Sequence, residues 1–162
     1  MTINIYTDGA HSSATNVGGW AAIITQNNQQ IGQISGCEYD TTNNRMELTA
    51  ILEALKCIRN QQFYLLSDII SIYTDSAYIS NCFCQGWYKL WRKNGWKTSK
   101  RTAVANQDLW EEILSWYESL PNVQICKVSG HSGNSFNEVA DQLAVSARVR
   151  GAEERNKNEN KS

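Results

Sequence analysis

The sequence predicts an α/β domain: a mixed five-stranded sheet with helices on its faces. Three strand-like segments follow one another before any helical period appears, which suggests an antiparallel meander. Two further strand-like segments come later, each set apart by helical stretches, which suggests parallel crossovers. The third observation is a near-repeat. INIYTDGA at residues 3–10 and ISIYTDSA at residues 70–77 are both β-branched, apolar runs that reach an aspartate, Asp8 and Asp75.

The elements can be justified in order. Residues 2–8 read as the first strand, and GGWAAIITQNNQQIGQISGCEY reads as two more joined by a polar NNQQ turn. From Arg45 the period changes. Leu48, Ile51, Leu52, Leu55 and Ile58 recur at helical spacing, predicting an amphipathic helix to about Gln61. DIISIYTD is apolar nearly throughout, as a central strand covered on both faces should be. A helical stretch starts at Ala77 and leads into the basic segment GWYKLWRKNGWKTSKR. NQDLWEEILSWYESL is a helix with Asn106 as its N-cap and Pro121 just past its end. VQICKVSG is the last strand and NEVADQLAVSARVR the last helix. The remainder, GAEERNKNENKS, has mixed charge and no apolar period. The expected organisation is one domain over residues 1–149 and a disordered tail over 150–162.

Composition narrows the function classes. A chain of 162 residues suits one domain with a real core, and a net charge of −1 gives no global nucleic-acid signal. No apolar run approaches a membrane span and no charged-then-apolar leader opens the chain, so a soluble, cytoplasmic monomer is expected. Five cysteines form no CxxC pair, and only His11 and His131 could join them, which argues against zinc. Buried free thiols in a reducing compartment are expected instead.

The two aspartates carry the chemistry. Parallel neighbouring strands lie about 4.8 Å apart, so carboxylates at their ends would emerge side by side at one sheet edge. Two such carboxylates repel, and one takes up a proton unless a cation sits between them. Hard oxygen ligands of this kind suit Mg²⁺ or Mn²⁺. A turn role accounts for either aspartate alone, but less readily for both after matching strands. Glu47, in the first turn of the first helix, and Asp141, in the last helix, are two further acids that could join such a site, although neither draws notice by itself. His131, in the glycine-flanked SGHSG, is of a residue type that can shuttle protons near neutral pH beside a metal.

YTDGA, TTNNRMELTAILEAL, IYTDSAYI, NGWKTS, NQDLWEEI and GHSGNSFNEVADQLA together resemble the motifs of type 1 ribonuclease H. They do so in the family's order, from about Ile3 to Arg148. The resemblance implies a ribonuclease H-like fold with strand order 3-2-1-4-5 and strand 2 antiparallel. It implies that Asp8, Glu47, Asp75 and Asp141 bind metal, two Mg²⁺ ions with substrate bound and Mn²⁺ as a substitute. It further implies hydrolysis of the RNA strand of RNA–DNA hybrids, 5′-phosphate and 3′-hydroxyl ends, and His131 assisting proton transfer or product release.

Choosing a hybrid over duplex DNA requires reading 2′-hydroxyls. Family likeness assigns this to the backbone of Gly9 and Ala10 and to Asn43 and Asn44 with Glu47, while TTNN is equally good capping sequence. The segment from Trp87 to Arg101 holds six Lys/Arg, three Trp and no acid. Lys89, Arg92, Lys93, Lys97, Lys100 and Arg101 suit phosphates, and Trp87, Trp91 and Trp96 offer stacking surface. The resemblance names this segment the basic handle, with Trp87 and Trp91 lining the DNA-strand channel and Thr42 helping to hold a DNA phosphate. There are departures. HSSATNVGG replaces a glycine-rich loop, Ala14 stands where the family has an Asn, and Ala77 where a Gln is common. One residue is inserted in ISNCFCQG. Two other readings stay open: a DNA-processing nuclease of the same fold, and a non-catalytic hybrid-binding module.

Overall fold

A computed structural model describes residues 2–65, 69–128 and 135–161, with the side chain of Ser135 outside the description. Strands β1 (Ile3–Ser12), β2 (Val17–Gln26) and β3 (Gln29–Tyr39) form the meander. Helix α1 (Asn43–Asn60) leads to β4 (Ile70–Thr74), then α2 (Ala77–Gln85), α3 (Trp87–Lys93) and α4 (Gln107–Ser119). Strand β5 (Val123–Lys127) and helix α5 (Ser135–Glu159) follow. The sheet order is β3-β2-β1-β4-β5, antiparallel at β2 and parallel across β1, β4 and β5. Both the mixed sheet and its order match the expectation.

Local chemistry explains the joints. Asn27 and Asn28 both have positive φ, 51° and 65°, the two-residue hairpin geometry that suits strand twist. The turn is therefore shorter than NNQQ, and Gln29 and Gln30 belong to β3. Thr42 caps α1, its Oγ1 accepting from the Arg45 amide at 3.2 Å. Ser76 does the same for α2 through the Ile79 amide. Asn106 stands at the N-cap of α4 as expected but makes no capping hydrogen bond with its side chain. It adopts φ 62°, and its Oδ1 accepts from Arg45 instead.

Strand alternation sorts the core into two faces. Ile3, Ile5, Ile70 and Ile72 pack with Leu48, Ile51 and Leu55 of α1 and with Trp110, Ile113 and Leu114 of α4. Tyr6 and Ile23 face the other way, against Ala140, Phe136 and Leu143 of α5. Helices thus cover both faces, and the functional edge lies where β1 and β4 run out between α1 and α5.

Three expectations are corrected. The first strand does not stop at Asp8 but continues to Ser12, paired there with β2 alone. Residues 150–159 are not disordered: α5 runs through them to Glu159. Gly151, the first residue past the expected helix, is buried where a Cβ would lie 2.7 Å from the Cys37 Sγ, so the glycine serves close packing. All five cysteines are free, but only Cys82 is buried and Cys84 is exposed.

Candidate active site

The register between β1 and β4 brings the two aspartates together. Ile3 pairs with Ile70 and Tyr6 with Tyr73, so the same offset sets Asp8 opposite Asp75 just beyond the ladder. Thr7 extends the contact by donating its hydroxyl to the Tyr73 carbonyl at 2.8 Å. Helix α1 delivers the third acid. A Cβ on Gly9 would sit 2.5 Å from the Glu47 nitrogen and 2.7 Å from the Met46 carbonyl carbon. Only a bare backbone lets the first turn of α1 come this close to β1. One carboxylate oxygen from each of Asp8, Glu47 and Asp75 then lies within 4.8 Å of the others. Asp141, exposed on α5, approaches Asp8 from the opposite face closely enough to raise its pKa.

The electrostatics follow from this crowding. Asp8 is buried, and desolvation raises its pKa to about 8, with further contributions from Asp141 and the charge of Asp75. Its one opposing interaction is the Gly9 amide, donated to Oδ1 at 2.9 Å. Glu47 is raised to about 7, first by burial and then by Asp75, against a hydrogen bond from Asn43 Nδ2 at 3.3 Å. Among the described residues no lysine or arginine forms an ion pair with these acids; the ion pairs lie elsewhere. An all-oxygen, electrostatically uncompensated donor set of this kind fits a hard divalent cation.

A pH dependence follows. Both folded-state values lie above those of an unfolded chain, about 4, so the folded form binds more protons. The stabilising contribution is complete below pH about 4 and is lost as pH rises through about 7 and 8. In chelator, denaturant unfolding should therefore show stability declining between pH 5 and 9, and added Mg²⁺ should reduce the decline. A profile indifferent to Mg²⁺ would contradict the cluster's role.

The surrounding candidate residues divide into those the structure leaves available and those it engages. Gly9 and Ala10 are half-buried on β1, next to the acids, while Thr42, Asn43 and Asn44 are exposed at the start of α1. Lys93, Lys97 and Lys100 are exposed. Arg92 instead pairs side by side with Glu118, at 2.7 and 3.0 Å, and lies over the Tyr88 ring. Trp91 is buried, its ring edge-on to Trp110 at 5.4 Å and tilted on Trp96 at 6.2 Å. It is core first, contributing only an edge to a surface pocket with Trp87, Leu90, Lys97 and Thr98. Trp87 is half-buried and donates its Nε1 to Gln85. His131 lies outside the described residues. Ala14 sits exposed in the β1–β2 turn, and Ala77 is the exposed first residue of α2.

One residue of consequence went unread in the sequence. Arg45 donates to Asp108 through both terminal nitrogens, at 3.1 and 2.9 Å, and to Asn106 at 3.2 Å. This ties the turn that carries Glu47 to the start of α4. Its partners stand more than sixty positions away, so no local pattern marks them.

Comparison with known proteins adds to this geometry. The RNase H family model matches residues 1–149, most of the chain. The chain belongs to the ribonuclease H family. It is 46% identical over 145 residues to the ribonuclease H of Syntrophomonas wolfei, covering 90% of this chain and 94% of that one. To the ribonuclease H of Chlorobaculum parvum it is 44% identical over 143 residues, covering 88% and 92%. Among solved structures it resembles LC9-RNase H1, described as a type 1 RNase H with the type 2 active-site motif. The TM-score there is 0.74 at 27% identity, covering 91% of this chain and 72% of that one. The fold of LC11-RNase H1, solved with an RNA/DNA hybrid, is also similar, with a TM-score of 0.71 at 22% identity over 92% and 98%. The resemblance read from the motifs is thus a family relationship, and the ribonuclease H enzymes are its context.

Proposed function

We propose that this ribonuclease H family chain is an endonuclease that hydrolyses the RNA strand of RNA–DNA hybrids, leaving 5′-phosphate and 3′-hydroxyl ends, as a cytoplasmic monomer. The observation that carries the reading is the mutual approach of Asp8, Glu47 and Asp75, with Asp141 close to Asp8. Their carboxylates would hold two Mg²⁺ ions, with Mn²⁺ as a substitute. Such ions, when bound, generate a nucleophile at neutral pH and offset negative charge on the leaving oxygen.

The chain's own groups supply the rest. Asp8 and Glu47 retain protons near neutrality in the free protein and release them as cations bind. Gly9 and Ala10 offer backbone groups, and Asn43 and Asn44 offer amides, for hydroxyls on the RNA strand. Asn43 also holds Glu47, so one side chain couples the reading of sugar to the orientation of a carboxylate. Thr42 and the exposed Lys93, Lys97 and Lys100 suit phosphates of the DNA strand. Trp87 and the edge of Trp91 line a surface pocket beside Lys97, and Trp96 packs on Trp91. His131 is assigned proton transfer or product release because an unperturbed imidazole can gain or lose a proton near neutral pH. Five free cysteines accord with a reducing compartment.

The deciding experiment offers labelled RNA–DNA hybrid, RNA duplex, DNA duplex and single-stranded RNA, each with Mg²⁺ and with chelator. Cleavage should fall on the hybrid alone, on its RNA strand, and only with metal. Cutting of DNA duplex would indicate a DNA-processing nuclease, and binding without cutting a hybrid-binding module. For the basic segment, replacing Lys93, Lys97 and Lys100 together by Ala should raise KM and reduce the slope of log affinity against log salt by about two to three. An unchanged slope would remove that segment from the phosphate contacts.

A further inference from the structure

The family model ends at residue 149, yet α5 continues to Glu159, and this added length is tied to the corner that leads into α1. Gly151 lies hard against Cys37 of β3. One turn further, Arg155 grips Asp40 with two nitrogens, at 3.0 and 3.4 Å, and lies 5.0 Å from the centroid of the Tyr39 ring. Asp40 itself is held from the other side: its amide donates to the Asn16 carbonyl at 2.8 Å, and its Oδ1 accepts from Asn16 Nδ2 at 3.3 Å. Asp40 and Asn16 both have positive φ, 54° and 52°. Backbone in that region persists when its surroundings hold it there.

The corner transmits this restraint. Thr41 is buried, with its methyl close enough to Gly18 that a Cβ there would meet it at 2.6 Å. The next residue is Thr42, the α1 cap, followed by Asn43 and Asn44. Beside Arg155 a surface pocket is lined by Thr15, Asn16, Asp40, Asn156 and Glu159 among others. Two carboxylates face one guanidinium there, and that guanidinium is already bonded to both of them. The pocket is therefore unsuited to a phosphate, and the arrangement reads as a clamp.

We propose that Arg155 is a positioning residue: through Asp40 it fixes the Thr42–Asn43–Asn44 corner in the orientation that binds the hybrid. This rests on the reading of those three residues as substrate contacts. An exposed ion pair by itself is worth little, but a two-point grip stacked on an aromatic ring and set on a left-handed residue has restricted geometry.

The test uses steady-state cleavage of hybrid by full-length Arg155→Ala, Arg155→Lys, Asp40→Asn and the Arg155→Ala/Asp40→Asn double variant, with thermal melting of each. Asn44→Ala serves as a direct test of the corner. Arg155→Ala should raise KM about fivefold with kcat within about twofold. Arg155→Lys should rescue only part of this, because it lacks the fork. The double variant should be no worse than the worse single one. If Arg155→Ala lowers melting temperature with KM unchanged while Asn44→Ala raises KM, the clamp is merely structural and the proposal is overturned. If Asn44→Ala also leaves KM unchanged, the substrate reading of the corner fails first, and the proposal falls with it.

Discussion

Replacing Asp8 by asparagine is expected to abolish cleavage of hybrid while making the metal-free protein more stable at neutral and higher pH. The two effects have one cause. Asp8 is buried beside Asp75 and Asp141 with a pKa raised to about 8, so its charge opposes folding whenever no cation is present. Asparagine keeps the shape and the oxygen that accepts the Gly9 amide, and removes the charge. The same change removes one ligand from the metal set. Metal-ion stabilisation is worth several kcal/mol, and each 1.4 kcal/mol is tenfold in rate, so kcat should fall at least about a hundredfold. Melting at pH 8 in chelator should show the variant above the wild type, and Mg²⁺ should narrow or reverse the gap. A variant less stable than the wild type in chelator, with cleavage retained, would contradict both halves.

Gly9→Ala should lower kcat by ~10²-fold without touching any carboxylate, since misplacement of a catalytic group by about 1 Å can cost that much. The added methyl meets backbone of α1, at 2.5 Å from the Glu47 nitrogen, rather than the end of a side chain that can turn aside. Strand β1 is held by β2 across Gly9 and Trp20, so the helix must give way and carry Glu47 from Asp8 and Asp75. Overpacking of this kind also costs about 1–3 kcal/mol of stability. Gly32→Ala is the control, because a Cβ there meets only Ile24 Cδ1 at an ordinary 3.7 Å. Melting and single-turnover kinetics on both variants separate the effects. Wild-type turnover in Gly9→Ala would show that the close approach of α1 does not set the site.

Much of this was legible in the sequence because the signal is repeated. Two copies of an apolar run reaching Asp8 and Asp75 fix a parallel register, and the coordinates carry that register from Ile3 to Tyr6. The period from Leu48 to Ile58 marks the face of α1 that packs on the sheet, and with it the end of the helix bearing Glu47. Features decided by distant partners were harder to see. Asp8 looks like a strand end because the apolar pattern stops, but β2 keeps the chain extended to Ser12. The basic segment reads as a stacking surface, yet Trp91 is buried against Trp110, nineteen positions on. Residues 152–159 lack an apolar period because they need little core. The ion pair from Arg155 to Asp40 links that stretch to the corner.

The most direct measurement of the carboxylate cluster is calorimetric titration of metal-free protein with Mn²⁺ at pH 7, in two buffers of different ionisation enthalpy. Binding should release protons, because Asp8 and Glu47 hold them at that pH until a cation displaces them. The release should shrink in Asp8→Asn. Mn²⁺ binding with no proton release, equal in the wild type and the Asp8→Asn variant, would mean that the ion sits elsewhere and that these four acids do not form its site.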